Sequence, residues 1–271
     1  MHELVITSPA NPRLRALTGL RRRRAREESG VTLLEGYEEL ELALSAGVRP
    51  QTLFYCPELM LDPDRQTRVV RDVQAGGAEV VRLGRVAFEK VAYREGPDGF
   101  LAVVRSVGRG FEELTLPADP FLLVCQGVEK PGNLGAMLRT ADAAGIHAVV
   151  AADPVTDWGN PNLVRSSKGT VFSVPVASAS TQETLAVCRD RGVLVVAATP
   201  DTDVEHTDVD YTGPVAIAVG TEKAGLTEDF MAAADVRVRI PMTGRANSLN
   251  VATSAAIVIY EAVRQRRAAT G

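Results

Sequence analysis

Two α/β domains in tandem, the second built on an open parallel sheet, are the architecture this sequence predicts. Three observations carry it. Residues 31–105 alternate short apolar runs with amphipathic stretches, the pattern of a small α/β domain. From Pro120 onward the runs at 121–126, 147–152, 193–198 and 215–219 are short and continuously apolar, as parallel strands buried on both faces require. Between the two patterns, residues 106–119 (SVGRGFEELTLPAD) lose periodicity and gather Gly, Pro and acids, which reads as a linker.

The elements follow in order. Residues 1–30 form an arm and a basic helix that begins after Asn11-Pro12; Pro9 and Pro12 hold the start extended, and Pro12 fits a first helical turn. Strands are predicted at 31–35, 53–56, 79–83 and 100–105, with helices at 36–46, 61–75 and 86–92, so that the first domain covers 1–105. Gly47, Pro57 and Gly76-Gly77 punctuate them. In the second domain, 120–271, a further strand falls at 236–240, and helices at 134–144, 161–169, 182–191, 228–234 and 249–267. The last helix ends in basic residues, which suit a helix C-terminus. Ligands of such a sheet belong at the C-terminal ends of its strands.

Composition narrows the function. The 271 residues are 45% hydrophobic, carry a net charge of −4 and have a mean hydropathy near zero, as in a soluble globular protein with a real core. No apolar run approaches the ~20 residues of a membrane span, and MHELVITSPANPR has no signal-peptide core, so a cytoplasmic protein is expected. Cys56, Cys125 and Cys188 are odd in number, far apart and outside any CxxC; they read as small buried hydrophobes. His2, His147 and His206 are isolated, so no metal site is expected. Residues 1–30 hold seven arginines against Glu3, Glu27 and Glu28, a net of +4, which leaves the rest of the chain at −8. A basic arm on an acidic body points to polyanion contact at Arg13, Arg21, Arg22, Arg23 and Arg24, although a solvated helical face would look the same.

The familiar nucleotide signatures are missing. No GxGxxG follows the first strand of either domain, and in the Gly220–Gly225 loop Leu226 stands where a phosphate-binding loop needs its lysine. Three other segments carry polar or Gly-rich elbows beside apolar elements. The strand at 215–219 ends on Gly220, where the missing Cβ lets backbone approach a ligand, and Glu222 follows on the elbow; a plain βα turn with a surface acid is the other reading. Asn133 and Arg139 could both point to the sheet edge beside Gln126, or be a helix-capping Asn and a salt-bridged Arg. Ser248 and Asn250 flank Leu249 before the last helix. Ser248 could serve only as an N-cap, but Asn250 sits poorly inside a helix and Gly244-Arg245-Ala246-Asn247 makes a polar approach to both.

Taken together and in order, Asn133-Leu134-Gly135…Arg139, Val219-Gly220-Thr221-Glu222…Gly225 and Ile240-Pro241-Met242…Ser248-Leu249-Asn250-Val251 resemble the three motifs of the SpoU/TrmH-type RNA ribose 2′-O-methyltransferases of the SPOUT class. The match covers about residues 120–265. Ser8, Asn11-Pro12, the arginine helix and Leu34-Glu35-Gly36 resemble, less closely, the L30e-like RNA-recognition domain of ribosomal-RNA-directed members, whereas residues 93–99 depart from the usual Thr-x-x-x-Pro-Gln-Gly at that junction. The resemblance implies a C-terminal trefoil knot, S-adenosylmethionine as cofactor, a homodimer with its site shared across the interface, and methyl transfer to a ribose 2′-hydroxyl of ribosomal RNA. A 23S substrate is expected, with antibiotic resistance as one role known in the family. A transfer-RNA enzyme of the same family, or a knotted RNA-binding assembly protein without activity, are the competing expectations. By the same resemblance Arg139, Asn133, Glu222, Ser248 and Asn250 are catalytic, and Thr199, Pro200, Gly220, Ile240, Met242 and Leu249 hold the cofactor. RNA, not DNA or a membrane, is the partner, because only RNA has the 2′-hydroxyl.

Overall fold

The computed structural model describes residues 4–245 and 247–270; His2, Glu3 and Ala246 lie outside them. Backbone contacts divide the chain into two compact units, residues 1–107 with 157–173, and residues 108–156 with 174–271.

The first unit contains β1 (Leu4–Ile6), α1 (Pro12–Gly19), α2 (Arg23–Ser29), β2 (Val31–Glu35), α3 (Tyr37–Ser45), β3 (Thr52–Tyr55), α4 (Pro63–Ala75), β4 (Glu79–Leu83), α5 (Arg85–Val91) and β5 (Phe100–Arg105). Its five strands run in the order β1-β4-β3-β5-β2. The first three are mutually parallel, and β5 is antiparallel to both its neighbours. Leu14 and Leu17 of α1 pack with Ala87, Phe88 and Val91 of α5 over Leu33, Phe54, Val81 and Leu101 of the sheet.

The single basic helix expected before residue 30 is two helices. Asn11 caps α1, its side chain accepting from the Arg13 N–H at 2.9 Å, and Pro12 opens it as expected. The chain then breaks at 20–22, and the break has a physical cause. Arg26, 3% exposed, turns inward and donates to the freed carbonyls of Leu20 (2.9 Å) and Arg21 (2.8 Å), while its other edge pairs with Asp157 at 3.0 and 2.6 Å. Arg26 is therefore a structural cation, not part of a solvated basic face. A buried pair is costly to break from one side because the surviving charge is left desolvated. Asp157→Ala should lower unfolding free energy by about 3 kcal/mol, measured by urea denaturation, whereas Glu27→Ala, whose partner Arg23 is half exposed, should change it by well under about 1 kcal/mol.

Asp157 belongs to a segment that the strand pattern assigned to the second domain. Residues 157–173, including α7 (Pro161–Ser166), group with the first unit. Leu163 and Val164 are buried there, and Thr32 of β2 donates its hydroxyl to the Gly159 carbonyl. The predicted helix at 161–169 stops at Ser166, and a 3-10 turn at Thr170–Phe172 follows Gly169 in the left-handed region.

The second unit contains β6 (Arg109–Gly110), β7 (Phe121–Gln126), α6 (Pro131–Ala144), β8 (Ala148–Ala152), β9 (Val176–Ala179), α8 (Thr181–Asp190), β10 (Leu194–Ala198), β11 (Val215–Val219), α9 (Glu228–Ala233), β12 (Val236–Val238) and α10 (Val251–Thr270). Seven strands run β12-β10-β11-β7-β8-β9-β6, every pair parallel. Alternate residues of the central strands point to opposite faces. Leu122, Val124, Ala216 and Ala218 pack with Leu185, Cys188 and Phe230 of α8 and α9, while Cys125 meets Met137 of α6 at 3.8 Å on the other side. The open parallel sheet covered on both faces matches the expectation. The stretch 106–119 does not behave as a free linker: β6 extends the sheet edge, and Phe111 and Leu114 are buried in its core. All three cysteines are buried free thiols, and burial pushes each above the ordinary thiol range, Cys188 to about 12.

Candidate active site

The site forms where β11, the innermost carrier of the second motif, runs out at Gly220. β11 is fully buried between β10 and β7, so its C-terminal end is fixed by hydrogen-bonded neighbours on both sides. The chain then doubles back: Thr221 N–H donates to the Gly225 carbonyl at 2.9 Å, Gly225 N–H returns to Thr221 at 3.0 Å, and Ala224 N–H caps the Thr221 hydroxyl at 3.0 Å. Gly225 supplies the left-handed φ of +69° that closes this turn. The loop comes so near β11 that a Cβ on Gly220 would overlap the Gly225 carbonyl and the Leu226 nitrogen. The geometry lifts Glu222 to the loop tip.

Below the loop, Gln126 at the end of β7 is buried and fully engaged. Its amide nitrogen donates to the hydroxyls of Thr181 (2.6 Å) and Thr227 (2.9 Å), and its oxygen accepts from Thr227 N–H at 2.8 Å. Thr227 is also the N-cap of α9, so this knot of hydrogen bonds pins the far end of the Gly220–Leu226 loop.

Three of the predicted catalytic residues meet at Glu222. Asn250 Nδ2 donates to Glu222 Oε1 at 2.8 Å and to Asn133 Oδ1 at 3.2 Å. Asn133 sits in the first turn of α6, which places it beside the loop. Asn250 lies before α10 rather than inside the expected helix 249–267. It is the residue that closes the helix start, with its carbonyl accepting from Ser254 and its Oδ1 from Ala252 N–H at 3.0 Å. The capping role considered for Ser248 therefore falls to Asn250, and Ser248 is an exposed residue on the cleft wall. The polar approach at 244–247 includes Ala246, outside the described residues.

A fourth member of the cluster was not foreseen. Lys130, just before the Pro131 that opens α6, forms an ion pair with Glu222 Oε2. Hydrogen bonding from Lys130 first, and from Asn133 second, holds the Glu222 carboxyl below the usual carboxylate range. The only sequence signal was a basic residue at a helix entry facing a conspicuous acid loop. If ionised Glu222 is required, the acid limb of kcat/KM should lie below the ordinary carboxylate range, since activity is lost only as pH falls through the depressed pKa. Lys130→Ala should move that limb upward, and Glu222→Gln should remove it along with most of the rate. A limb unmoved by Lys130→Ala would separate Glu222 ionisation from turnover.

Arg139 is not in this cluster. It lies six residues after Asn133 on α6, roughly 9 Å along the axis and on a different face of the helix. It is exposed, lines no part of the cleft, and makes no ion pair or hydrogen bond with another described residue.

Next to the cluster is a cleft of about 620 Å³, within the range of small-molecule sites. Thr199, Pro200, Gly220, Ile240, Met242 and Leu249, all six positions expected to hold the cofactor, line it, together with Glu222 and Ser248. Its wall mixes apolar side chains with the backbone of Gly220–Leu226, a combination that suits a nucleoside carrying a polar tail. Of the basic residues, Arg13 pairs with Glu79 (2.8 Å). Arg21 donates to the Val91 and Ala92 carbonyls and lies over the Tyr93 ring at 5.1 Å. Arg23 and Arg24 pair along α2 with Glu27 and Glu28, and Arg22 is exposed at the N-cap of α2.

Comparison with known proteins decides the family. Residues 120–260 match the SpoU rRNA Methylase family, and residues 11–102 match the MRM3-like substrate binding domain. The chain belongs to the SpoU rRNA methylase family. Among its relatives, it is 33% identical to the 23S rRNA (uridine(2479)-2′-O)-methyltransferase of Streptomyces viridochromogenes over 93% of this chain and 88% of that one. It is 31% identical to the 23S rRNA (guanosine(2553)-2′-O)-methyltransferase RlmP of Bacillus subtilis over 94% and 97%. The AdoMet-bound rRNA methyltransferase from Sinorhizobium meliloti superposes with a TM-score of 0.87 at 29% identity, covering 96% of this chain and 97% of that one. The SpoU methylase fold expected from the motifs is thus the observed one.

Proposed function

We propose that this SpoU methylase transfers a methyl group from S-adenosylmethionine to a ribose 2′-hydroxyl of large-subunit ribosomal RNA, as a cytoplasmic homodimer whose C-terminal unit carries the family's knot. The observation that carries the reading is the meeting of Asn133, Glu222 and Asn250 at the edge of a cleft lined by all six expected cofactor positions. The relatives at 33% and 31% identity are both named as 23S rRNA 2′-O-methyltransferases, and they span nearly this whole chain.

S-adenosylmethionine, when bound, supplies an electrophilic methyl on a sulfonium. The chain's own residues do the rest. Ile240, Met242 and Leu249 offer apolar contact to an adenine, and the Gly220–Leu226 backbone offers N–H and C=O groups around it. Glu222, kept ionised by Lys130, places negative charge near a cationic ligand and orients Asn250 and Asn133 toward the entering ribose. Arg139 clamps the target phosphate and polarises the hydroxyl; a guanidinium is always protonated and acts as a donor, not a base. Because Arg139 stands apart from the other four residues of its own chain, a second copy is the natural source of the arginine for each cleft, which supports the dimer.

The N-terminal arginines contact the RNA backbone. The pairs of Arg13, Arg23 and Arg24 are surface pairs, worth well under about 1 kcal/mol, so phosphates can displace the carboxylates. The deciding assay offers tritiated S-adenosylmethionine with ribosomal RNA, transfer RNA or neither, then maps blocked alkaline cleavage on the labelled RNA. Label confined to large-subunit RNA at one cleavage-resistant ribose is the expected result; label in transfer RNA alone would overturn the substrate assignment.

A further inference from the structure

The central strand of the second sheet ends on a residue that its core does not need. β7 is apolar from Phe121 through Cys125 and closes on Gln126, which is 3% exposed and whose register partner on β8 is Ala152. A Leu or Met would fill the position without a polar group. A buried amide is tolerated only where its donors and acceptor are satisfied, and satisfying them fixes whatever they bind.

The partners allow the amide one orientation. Thr181 donates its hydroxyl proton to Asp153 Oδ2 at 2.6 Å, so its oxygen can only accept, and the group facing it at 2.6 Å must be the Gln126 amide nitrogen. Thr227 N–H can only donate, so the group facing it at 2.8 Å must be the amide oxygen. Asp153 closes the outer end of the chain with both oxygens, taking the Thr181 N–H at 3.1 Å as well, from a left-handed backbone at φ 49°. The order along the sheet edge is therefore Asp153, Thr181, Gln126, Thr227.

The inner end of this chain reaches the cleft. Thr227 lies between Leu226 and Glu228, and Gly225, Leu226 and Glu228 all line the 620 Å³ cavity, with Met231 of α9 beside them. Gln126 itself lines no part of it. The tip of the same loop is held by other groups, Lys130 and Asn250 on Glu222. One loop has two anchors, and they share no residue. We propose that Gln126 is a positioning residue for the cofactor: acting through Thr227, its amide fixes the foot of the 220–227 loop where Gly225, Leu226 and Glu228 form the cleft wall, while the anchor at Glu222 serves the transfer step. The two anchors then separate in kinetics. Loosening the foot raises KM for S-adenosylmethionine and spares kcat at saturating cofactor, whereas loosening the tip lowers kcat. This inference rests on the methyl-transfer reading above and divides the work of its loop between two groups of residues.

The test measures S-adenosylmethionine affinity by calorimetry, and kcat and KM with ribosomal RNA, on full-length chains at a temperature where each is folded. Gln126→Met keeps the side-chain length and removes every hydrogen bond. It should raise Kd and KM for the cofactor about tenfold and change kcat by less than about threefold. Gln126→Glu keeps the shape but loses the amide donors, and should bind the cofactor no better than Gln126→Met. Asp157→Ala is the stability control: it takes no part in this network and should keep wild-type cofactor affinity. Unchanged affinity in Gln126→Met would make Gln126 a structural residue only. Wild-type affinity in Gln126→Glu would show that shape, not the donor pair, sets the loop. An equal affinity loss in Asp157→Ala would trace the effect to stability, and a fall in kcat as large as the rise in KM would erase the division between the anchors; each of these overturns the proposal. Should Gln126→Met fail to fold, Thr227→Val, at an exposed position, removes the hydroxyl at the inner end and decides by the same about tenfold criterion. Wild-type binding that Gln126 substitutions leave untouched sinks this assignment alone, and a wild-type chain that binds no S-adenosylmethionine sinks the methyl-transfer reading itself.

Discussion

Arg139→Ala is expected to lower single-turnover methyl transfer by about a thousandfold while leaving the calorimetric affinity for S-adenosylmethionine unchanged. The two halves of that expectation have separate physical grounds. Arg139 lines no part of the 620 Å³ cleft, so truncating it removes nothing the cofactor touches. It is exposed and makes no bond to another described residue, so the folded state loses no partner and the melting temperature should hold. What is lost is a forked cation able to grip the phosphate next to the target ribose and to place its hydroxyl in line, and positioning is where the rate of such a transfer originates. Arg139→Lys keeps the charge but not the fork, and should recover only a small part of the rate. The proposed dimer adds a sharper outcome. Arg139→Ala chains and Glu222→Ala chains should each be inactive, but mixed and re-assembled they should create one intact cleft per heterodimer. Recovery of part of the wild-type rate in the mixture is expected if each site draws its arginine from the other copy. Near-normal turnover of Arg139→Ala alone would remove this residue from the mechanism.

How far the sequence could be read depended on the range of the forces involved. The parallel strands β7, β8, β10 and β11 were visible because burial on both faces demands continuous apolar runs, and local composition records that demand. β9 was not: Val176-Ala177-Ser178-Ala179 is short, three of its four residues are small and one of those is polar, and it becomes a strand only because β8 and β6 flank it. Four of the six cofactor positions and the Asn133–Glu222–Asn250 group came from motifs whose members lie close to turns, Thr199 and Pro200 came from the family resemblance alone, and the fold brings the Asn133–Glu222–Asn250 group together across 28 and 117 residues of sequence separation. Long-range partnerships left no local trace. Arg26 looks like one more cation in a basic run, and only Asp157, 131 residues away, makes it a buried strut. The same holds for 157–173, whose place in the chain lies among second-unit strands but whose apolar Leu163 and Val164 are buried in the first unit. Arg139 stands apart from the Asn133–Glu222–Asn250 group because six residues along a helix do not share a face.

Gly220→Ala should be the most damaging glycine-to-alanine change among the described residues. At this position the new Cβ meets the Gly225 carbonyl and the Leu226 nitrogen, and neither can rotate away as a side chain could. Relief has to come from backbone. β11 cannot shift, because it is hydrogen-bonded to β10 on one side and β7 on the other, so the 221–226 loop must open. Opening breaks the Thr221–Gly225 pair and withdraws Glu222 from Asn250 and Lys130, and it dismantles the cleft wall that faces Ile240, Met242 and Leu249. Overpacking of this kind costs about 3 kcal/mol of stability, and cofactor affinity should fall by about a hundredfold or more. The matched control is Gly225→Ala. A Cβ there meets nothing within 4 Å, and the only strain is its φ of +69°, worth about 1–2 kcal/mol for a non-glycine residue. Gly225→Ala should therefore bind S-adenosylmethionine with affinity near wild type at temperatures where it is folded. If calorimetry found the two variants equally impaired, the close approach of loop to strand at Gly220 would not be what shapes the cofactor wall, and the cleft would owe its form to the turn alone.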